Sequence, residues 1–227
     1  MARINSHKIQ QSRQLQLCVT PTAQYDLSVC ICVPTSDTHT LEKIRKVMSY
    51  FSKSFVVFVG EENTPIEHAI YLPIHNPSEA QSRTLYVSFV LAHRSAFDLM
   101  IVIDPALSLH KEIPCSSFSC CNPERLSKWD AVFANQSYKY YDTVSFVSSS
   151  GEPMTKRHIP SYVDPIPVLS AFGGLAIYKT QYLSTNMYNC AEYISFNRGY
   201  LNNGGVRMFL EPSLVLETPP QNAHLYV

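Results

Sequence analysis

Two carboxylates stand where the chain could do chemistry. Asp104 follows Leu99, Met100, Ile101, Val102 and Ile103, an apolar run that stops at the acid itself. A continuous run of that length, rich in Ile and Val, fits a strand buried on both faces of a parallel sheet. A carboxylate at the C-terminal end of such a strand lies where open α/β sheets bind their ligands, although an Asp there also serves simply to open a turn. Glu192 has two readings as well. The segment Asn189-Cys190-Ala191-Glu192 has the spacing of a capping box, with Asn189 as cap and Glu192 reaching back. The same carboxylate is suited to take a proton from an attacking hydroxyl as a general base.

Other residues offer weaker signals. Trp129 is the only tryptophan, and Tyr138, Tyr140 and Tyr141 follow it closely. Aromatic faces stack on the C–H surfaces of sugars, but a Trp that begins a strand also fits a core position. Gly173-Gly174 would let a ligand approach the backbone, and a bulge or turn explains the pair equally. His158, in the loop TKRHIP, is a minor candidate for phosphate. The seven cysteines include Cys30 and Cys32 inside an apolar strand, and an odd count of that kind fits buried free thiols in a reducing, cytoplasmic setting. Cys115, Cys120 and Cys121 match no zinc spacing and read as loop thiols. The sequon Asn135-Gln136-Ser137 is expected to be idle for the same reason.

The elements that must position these groups follow from periodicity. Residues 1–25 carry no clear period and read as an arm or a preceding helix. LSVCICVP, from Leu27 to Pro34, is a first buried strand, and Thr35-Ser36-Asp37-Thr38 supplies N-cap chemistry for a helix with Leu41, Ile44, Val47, Met48 and Phe51 on one side. A second strand, Ser54 to Gly60, ends in Glu61-Glu62 and completes a β-α-β unit. A short strand near Ile70–Ile74 and a helix from Ser78 to His93, with Leu85, Phe89 and Ala92 towards the sheet, lead into the strand that ends at Asp104. The second half reads as strands at 129–134 and 141–147, a long irregular stretch, a strand in AFGGLAIYKTQYL, a helix in NCAEYISFNRGYL and a last strand in VRMFLEP. The expected organisation is one α/β domain over 26–216, with a nucleotide-binding half at 26–107 and an acceptor half at 108–216, and a tail at 217–227.

Composition limits the partners. Lys plus Arg and Asp plus Glu both number 18 in 227 residues, which calls for neither nucleic acid nor an acidic membrane. No apolar stretch approaches the roughly 20 residues of a membrane span, and the polar N-terminus lacks a signal-peptide core. A soluble protein is expected.

The order of these parts resembles the GT-A glycosyltransferases, single-domain enzymes with a Rossmann-like, mostly parallel twisted sheet flanked by helices. The most specific segments are FGGLAIYKTQYL and AEYISFNRG, which are similar to the Gly-Gly acceptor strand and the acidic motif ending in Phe-Asn-Arg of inverting galactosyltransferases. The resemblance implies a nucleotide-sugar donor, such as a UDP-sugar, and a hydroxyl of a glycan or glycoprotein as acceptor. It assigns Pro34, Thr35, Ser36 and Asp37, with Glu61, Arg83 and Asp104, to the donor; Trp129, Gly173, Gly174 and Arg198 to the acceptor; and Glu192 to the general base, with Asp104 beside it in catalysis. It also implies a Mn2+ or Mg2+ ion on a DxD motif. Here the motif is Asp104-Pro105-Ala106, so the second carboxylate is missing and Asp104 alone would serve the metal. Arg83, Lys156, Arg157 or Arg207 would then assist the leaving diphosphate; a solvated helix residue explains Arg83 as well. Two alternatives remain open: a nucleotidyltransferase, against which stands the glycine-free PTSDTHT, and a non-catalytic module with a decayed site.

Overall fold

A computed structural model of the chain describes residues 15–34, 41–60, 67–75, 77–104, 111–137, 140, 142–151, 158–187 and 193–217. The strands are β1 (Cys18–Val19), β2 (Tyr25–Val33), β3 (Phe51–Val59), β4 (Ala69–Leu72), β5 (Leu99–Ile103), β6 (Ala131–Gln136), β7 (Val147–Ser148), β8 (Ile166–Ser170), β9 (Leu175–Lys179) and β10 (Met208–Leu216). They form one sheet in the order β1-β3-β2-β5-β9-β6-β10-β8-β7, with β4 also on β3. The helices are α1 (Leu41–Met48), α2 (Glu79–Ala92), a single turn α3 (Pro123–Leu126) and α4 (Tyr193–Asn202).

The continuous apolar runs are explained by burial on both faces. Along β2, Val29, Ile31 and Val33 face α1, while Cys30 and Cys32 face α2, because successive side chains alternate across a strand. All five residues of β5 are buried, and each contributes about 1.5–3 kcal/mol on leaving water. One layer of the core joins Met100, Val102, Phe133 and Tyr178 to α2 and α4. The other joins Ile101, Ile103 and Phe58 to α1 and to Phe118. The start of α2 is fixed by the capping box that its sequence permits: Ser78 Oγ accepts from the Gln81 N–H at 3.3 Å, and Gln81 Oε1 accepts from the Ser78 N–H at 2.8 Å.

The expected α/β class holds, but the sheet is mixed rather than mostly parallel. The pairs β2–β3, β3–β4, β2–β5 and β6–β10 are parallel; β9 is inserted antiparallel between β5 and β6, and β1, β8 and β7 are also antiparallel to their neighbours. Other expectations shift locally. Phe51 opens β3 instead of closing the apolar side of α1, and Ala92 is exposed at the end of α2. The expected strand over 141–147 shrinks to Val147–Ser148, because Asp142 Oδ1 accepts from the Ser145 N–H at 3.3 Å and makes a turn. The irregular stretch instead supplies β8. Cys120 and Cys121 are buried in the 3-10 segment Cys115–Cys121, not in a loop, and the described cysteines are free thiols. Asn135 is buried too, its Nδ2 donating to the carbonyls of Ile159 (2.9 Å) and Pro212 (3.2 Å), so the sequon asparagine faces inward. No helix among the described residues is long and apolar enough to cross a membrane.

The feature that positions a site is the reversal of strand order at β2. From β2 the chain steps outward to β3 and β4 on one side, then returns through α2 to place β5 on the other. In an open α/β sheet, the crevice at the C-terminal ends of the two strands flanking such a reversal is where ligands bind.

Candidate functional site

Asp104 and Pro34 meet at that reversal. The register Cys32↔Val102 brings β2 and β5 to their ends together, so Pro34 and Asp104 follow as neighbours on one edge of the sheet. Both are half-buried. The β3 strand ends on the same edge at Val59, paired in parallel with β2 through Val33↔Phe58. Thr35, Ser36, Asp37 and Glu61 lie just beyond these strand ends in sequence and outside the described residues.

The Gly-Gly pair arrives at the same edge from the opposite direction. Because β9 is antiparallel to β5, with Ile103↔Leu175, its first residues stand beside the last residue of β5. The Asp104 N–H donates to the Gly174 carbonyl at 2.9 Å. Residues Phe172–Leu175 form a turn closed by the Leu175 N–H on the Phe172 carbonyl at 3.3 Å, with Gly173 and Gly174 at φ +66° and +94°. Positive φ at both central positions is the signature of a turn that needs small residues. Gly173 is further constrained by space: a Cβ there would lie 2.2 Å from the Ala134 carbonyl oxygen. The close approach of two backbones, not only a ligand's access, requires glycine at this position.

Side chains from the end of β6 and the chain after it hold this turn. Asp142 Oδ2 accepts from the Gly173 N–H at 3.1 Å, the Tyr140 hydroxyl accepts from the Phe172 N–H at 3.3 Å, and Gln136 Nε2 donates to the Gly173 carbonyl at 3.4 Å. The sequence reading missed Asp142 and Gln136. The visible signal for Asp142 was its position ahead of Thr-Val-Ser, which is turn chemistry, but its second oxygen's partner lies 31 residues away.

The FNR segment acts one layer behind. Asn197 is fully buried: its Nδ2 donates to Ser170 Oγ (3.0 Å) and the Ala171 carbonyl (3.1 Å), and its Oδ1 accepts from the Tyr178 hydroxyl (2.9 Å). It ties α4 to the residues just before the Gly-Gly turn. Phe196 packs edge-on against Tyr178 at 5.4 Å, and Arg198 is exposed. Tyr193, the first residue of α4, stacks on Phe172 with ring centroids 3.7 Å apart. Its chain neighbour Glu192 lies outside the described residues, as do Lys156 and Arg157.

Three expected site residues are placed differently. Arg83 is only 2% exposed, with its guanidinium 4.1 Å above the Tyr193 ring and 5.7 Å from that of Phe196. It packs α2 against α4 and forms an ion pair with Glu79 at 3.7 Å, so it is a cation inside the wall and not on it. Trp129 precedes β6 at the opposite edge of the sheet, buried, with its indole N–H donating to the Cys120 carbonyl at 2.8 Å; it is a core residue. Arg207 is also at that far edge, where its backbone N–H, Nε and Nη2 all donate to the Asp130 carboxylate at 2.9, 3.2 and 2.7 Å. Burial by itself pushes the Asp130 carboxyl up, but these bonds, with the charges of Arg207 and Lys179, bring it below the ordinary carboxylate range. His158 is exposed.

Among the described residues no protein-built cage for a divalent ion is present: no group of three or more His, Cys, Asp or Glu suited to a metal occurs, and in the sequence Asp104 is followed by Pro105 and Ala106 without a second carboxylate.

No protein-family model matches the sequence, and no curated protein matches it either. Among solved structures, the chain is similar to a 4-diphosphocytidyl-2C-methyl-D-erythritol synthase, at 12% identity and a TM-score of 0.47 over 88% of this chain and 97% of that one. It is similar to the same extent, at 13% identity and a TM-score of 0.47 over the same shares, to the 2-C-methyl-D-erythritol 4-phosphate cytidylyltransferase from Thermus thermophilus. Neither is named as a glycosyltransferase.

Proposed function

We propose that the chain is a nucleotide-dependent transferase whose ligand lies across the ends of β2 and β5, against Pro34, Asp104 and the Gly173–Gly174 turn. The observation that carries this reading is the strand-order reversal, which brings a half-buried aspartate and the Gly173–Gly174 turn together at one end of the sheet, where open α/β sheets bind ligands. Within that class the first reading is glycosyl transfer from a nucleoside-diphosphate sugar. An acceptor hydroxyl attacks the anomeric carbon, the bond from that carbon to the diphosphate oxygen breaks, and the hydroxyl proton passes to a carboxylate. Glu192 is the proposed base. Asp104 faces the donor, and the Gly173–Gly174 turn lies beside it at the same end of the sheet.

Nucleotidyl transfer is the second reading. It is the chemistry for which one of the similar structures is named. Calorimetric titration of the purified chain with UDP-glucose, UDP-galactose, UDP and CTP, each with and without Mn2+, separates the two. Binding of UDP and a UDP-sugar, with slow release of free sugar, supports glycosyl transfer. Preference for CTP with release of pyrophosphate in the presence of a sugar or polyol phosphate supports nucleotidyl transfer. Absence of binding to all four ligands overturns the transferase reading.

A further inference from the structure

Asp142 lies outside every motif considered above, yet each of its carboxylate oxygens accepts a backbone N–H. Oδ1 accepts from the Ser145 N–H at 3.3 Å and shapes its own turn, while Oδ2 reaches across to the Gly173 N–H at 3.1 Å. Two acceptor oxygens on two N–H groups is an arrangement that an ionised carboxylate satisfies and an amide does not, since an amide has one oxygen and would turn its NH2 towards the second N–H. The held residue is one that cannot relax freely. Gly173 has φ +66°, the Ala134 carbonyl blocks one side of it, the Tyr140 hydroxyl accepts from the preceding Phe172 N–H, and Gln136 Nε2 donates to the carbonyl of Gly173 itself. The next carbonyl along, that of Gly174, receives the Asp104 N–H.

We propose that Asp142 is a positioning residue for the ligand cleft: it holds the Gly173–Gly174 turn in the setting where Gly174 fixes the backbone of Asp104. The chain of contacts runs from the Asp142 carboxylate to the Gly173 N–H by a hydrogen bond, through the backbone of Gly173 and Gly174, and from the Gly174 carbonyl to the Asp104 N–H by a second hydrogen bond. The effect reaches the ligand through Asp104 and the glycine backbone, so this inference rests on the nucleotide-site reading. Asp142 sets geometry and takes no proton from substrate.

The test has one arm that needs no ligand and one that does. Native-state amide exchange at Gly173 and Asp104 is compared in wild type, Asp142→Ala, Asp142→Asn and Arg207→Ala, the last serving as a destabilised control at the far edge of the sheet. Asp142→Ala is expected to speed exchange at both amides at least tenfold, Asp142→Asn to restore part of the protection, and Arg207→Ala to leave the ratio to neighbouring β9 amides as in wild type. UDP affinity is measured on the same four proteins. The Kd is expected to rise at least fivefold in Asp142→Ala, partly recover in Asp142→Asn, and stay within twofold of wild type in Arg207→Ala. Unchanged exchange at Gly173 in both Asp142 variants overturns the grip. Faster exchange with unchanged UDP affinity overturns the positioning role. If wild type binds CTP and not UDP, CTP replaces UDP as the probe with the same expected changes; if it binds none of UDP, UDP-glucose, UDP-galactose and CTP, the nucleotide reading fails and the link from Asp142 to a ligand falls with it, while the exchange arm still judges the grip alone.

Discussion

The backbone of Asp104 is tied to that of Gly174, residues 70 positions apart in sequence, by one N–H···O=C bond of 2.9 Å. That bond joins the two halves expected from the sequence, the nucleotide side and the acceptor side. It exists because β9 runs antiparallel to β5 and starts where β5 ends. The Asp104 strand end and the Gly173–Gly174 turn are thereby held side by side.

Asp104 is expected to matter for the ligand. It is half-buried at a strand end, and its backbone bond survives a change of side chain. Asp104→Asn should lower turnover of the preferred donor by about 10²-fold, the scale of losing one well-placed polar group. Steady-state kinetics on the folded variant check this. Full activity in the variant would move the site elsewhere.

Gly173 should tolerate no Cβ. Alanine there would adopt φ +66° with its Cβ 2.2 Å from the Ala134 carbonyl oxygen, so strain and overlap add. Gly173→Ala should cost at least about 2 kcal/mol, since a left-handed non-glycine residue alone costs about 1–3 kcal/mol. Gly151 has φ +83° and open space around it, so Gly151→Ala should lose only the conformational part. Denaturant melts of the two variants give the comparison directly.

Arg83 tests whether the wall cation is structural. Its guanidinium stacks over Tyr193, a contact that a lysine ammonium does not reproduce as a planar stack. Arg83→Lys should destabilise by about 1–2 kcal/mol and leave nucleotide affinity of the folded protein unchanged. A loss of affinity at unchanged stability would return Arg83 to the donor site.

Asp130 should set part of the acid limit of stability. Its carboxyl is held below the ordinary range when folded, so its contribution is present above the unfolded value of about 3.9 and disappears as pH falls through the folded one. Removing its partner in Arg207→Ala leaves a buried carboxylate with fewer donors. The cost should be about 2–3 kcal/mol, below the usual range for a broken buried pair, because the Arg207 side chain is 45% exposed and screened. The acid-unfolding midpoint should move to higher pH in that variant, as followed by circular dichroism.

What the sequence determined by itself was local or periodic. The runs at 27–34, 54–60 and 99–103 were legible as buried strands, because side chains on both faces of a covered sheet must be apolar. The capping box at Ser78 was written in residues three apart, and the capacity of Asp104 to end a buried strand in a polar group was visible from the run that precedes it. The tertiary structure decided which distant pieces meet. The antiparallel insertion of β9 has no sequence mark, since a fully buried strand reads the same in either direction. Trp129 and Arg207 went to the far edge of the sheet by the direction of β6 and β10, which composition does not encode. Asp142 gained its role only when Gly173, 31 residues on, was folded back to within hydrogen-bond reach of its second oxygen. Hydrogen bonds between such remote partners depend on strand order and register, and those are properties of the whole sheet.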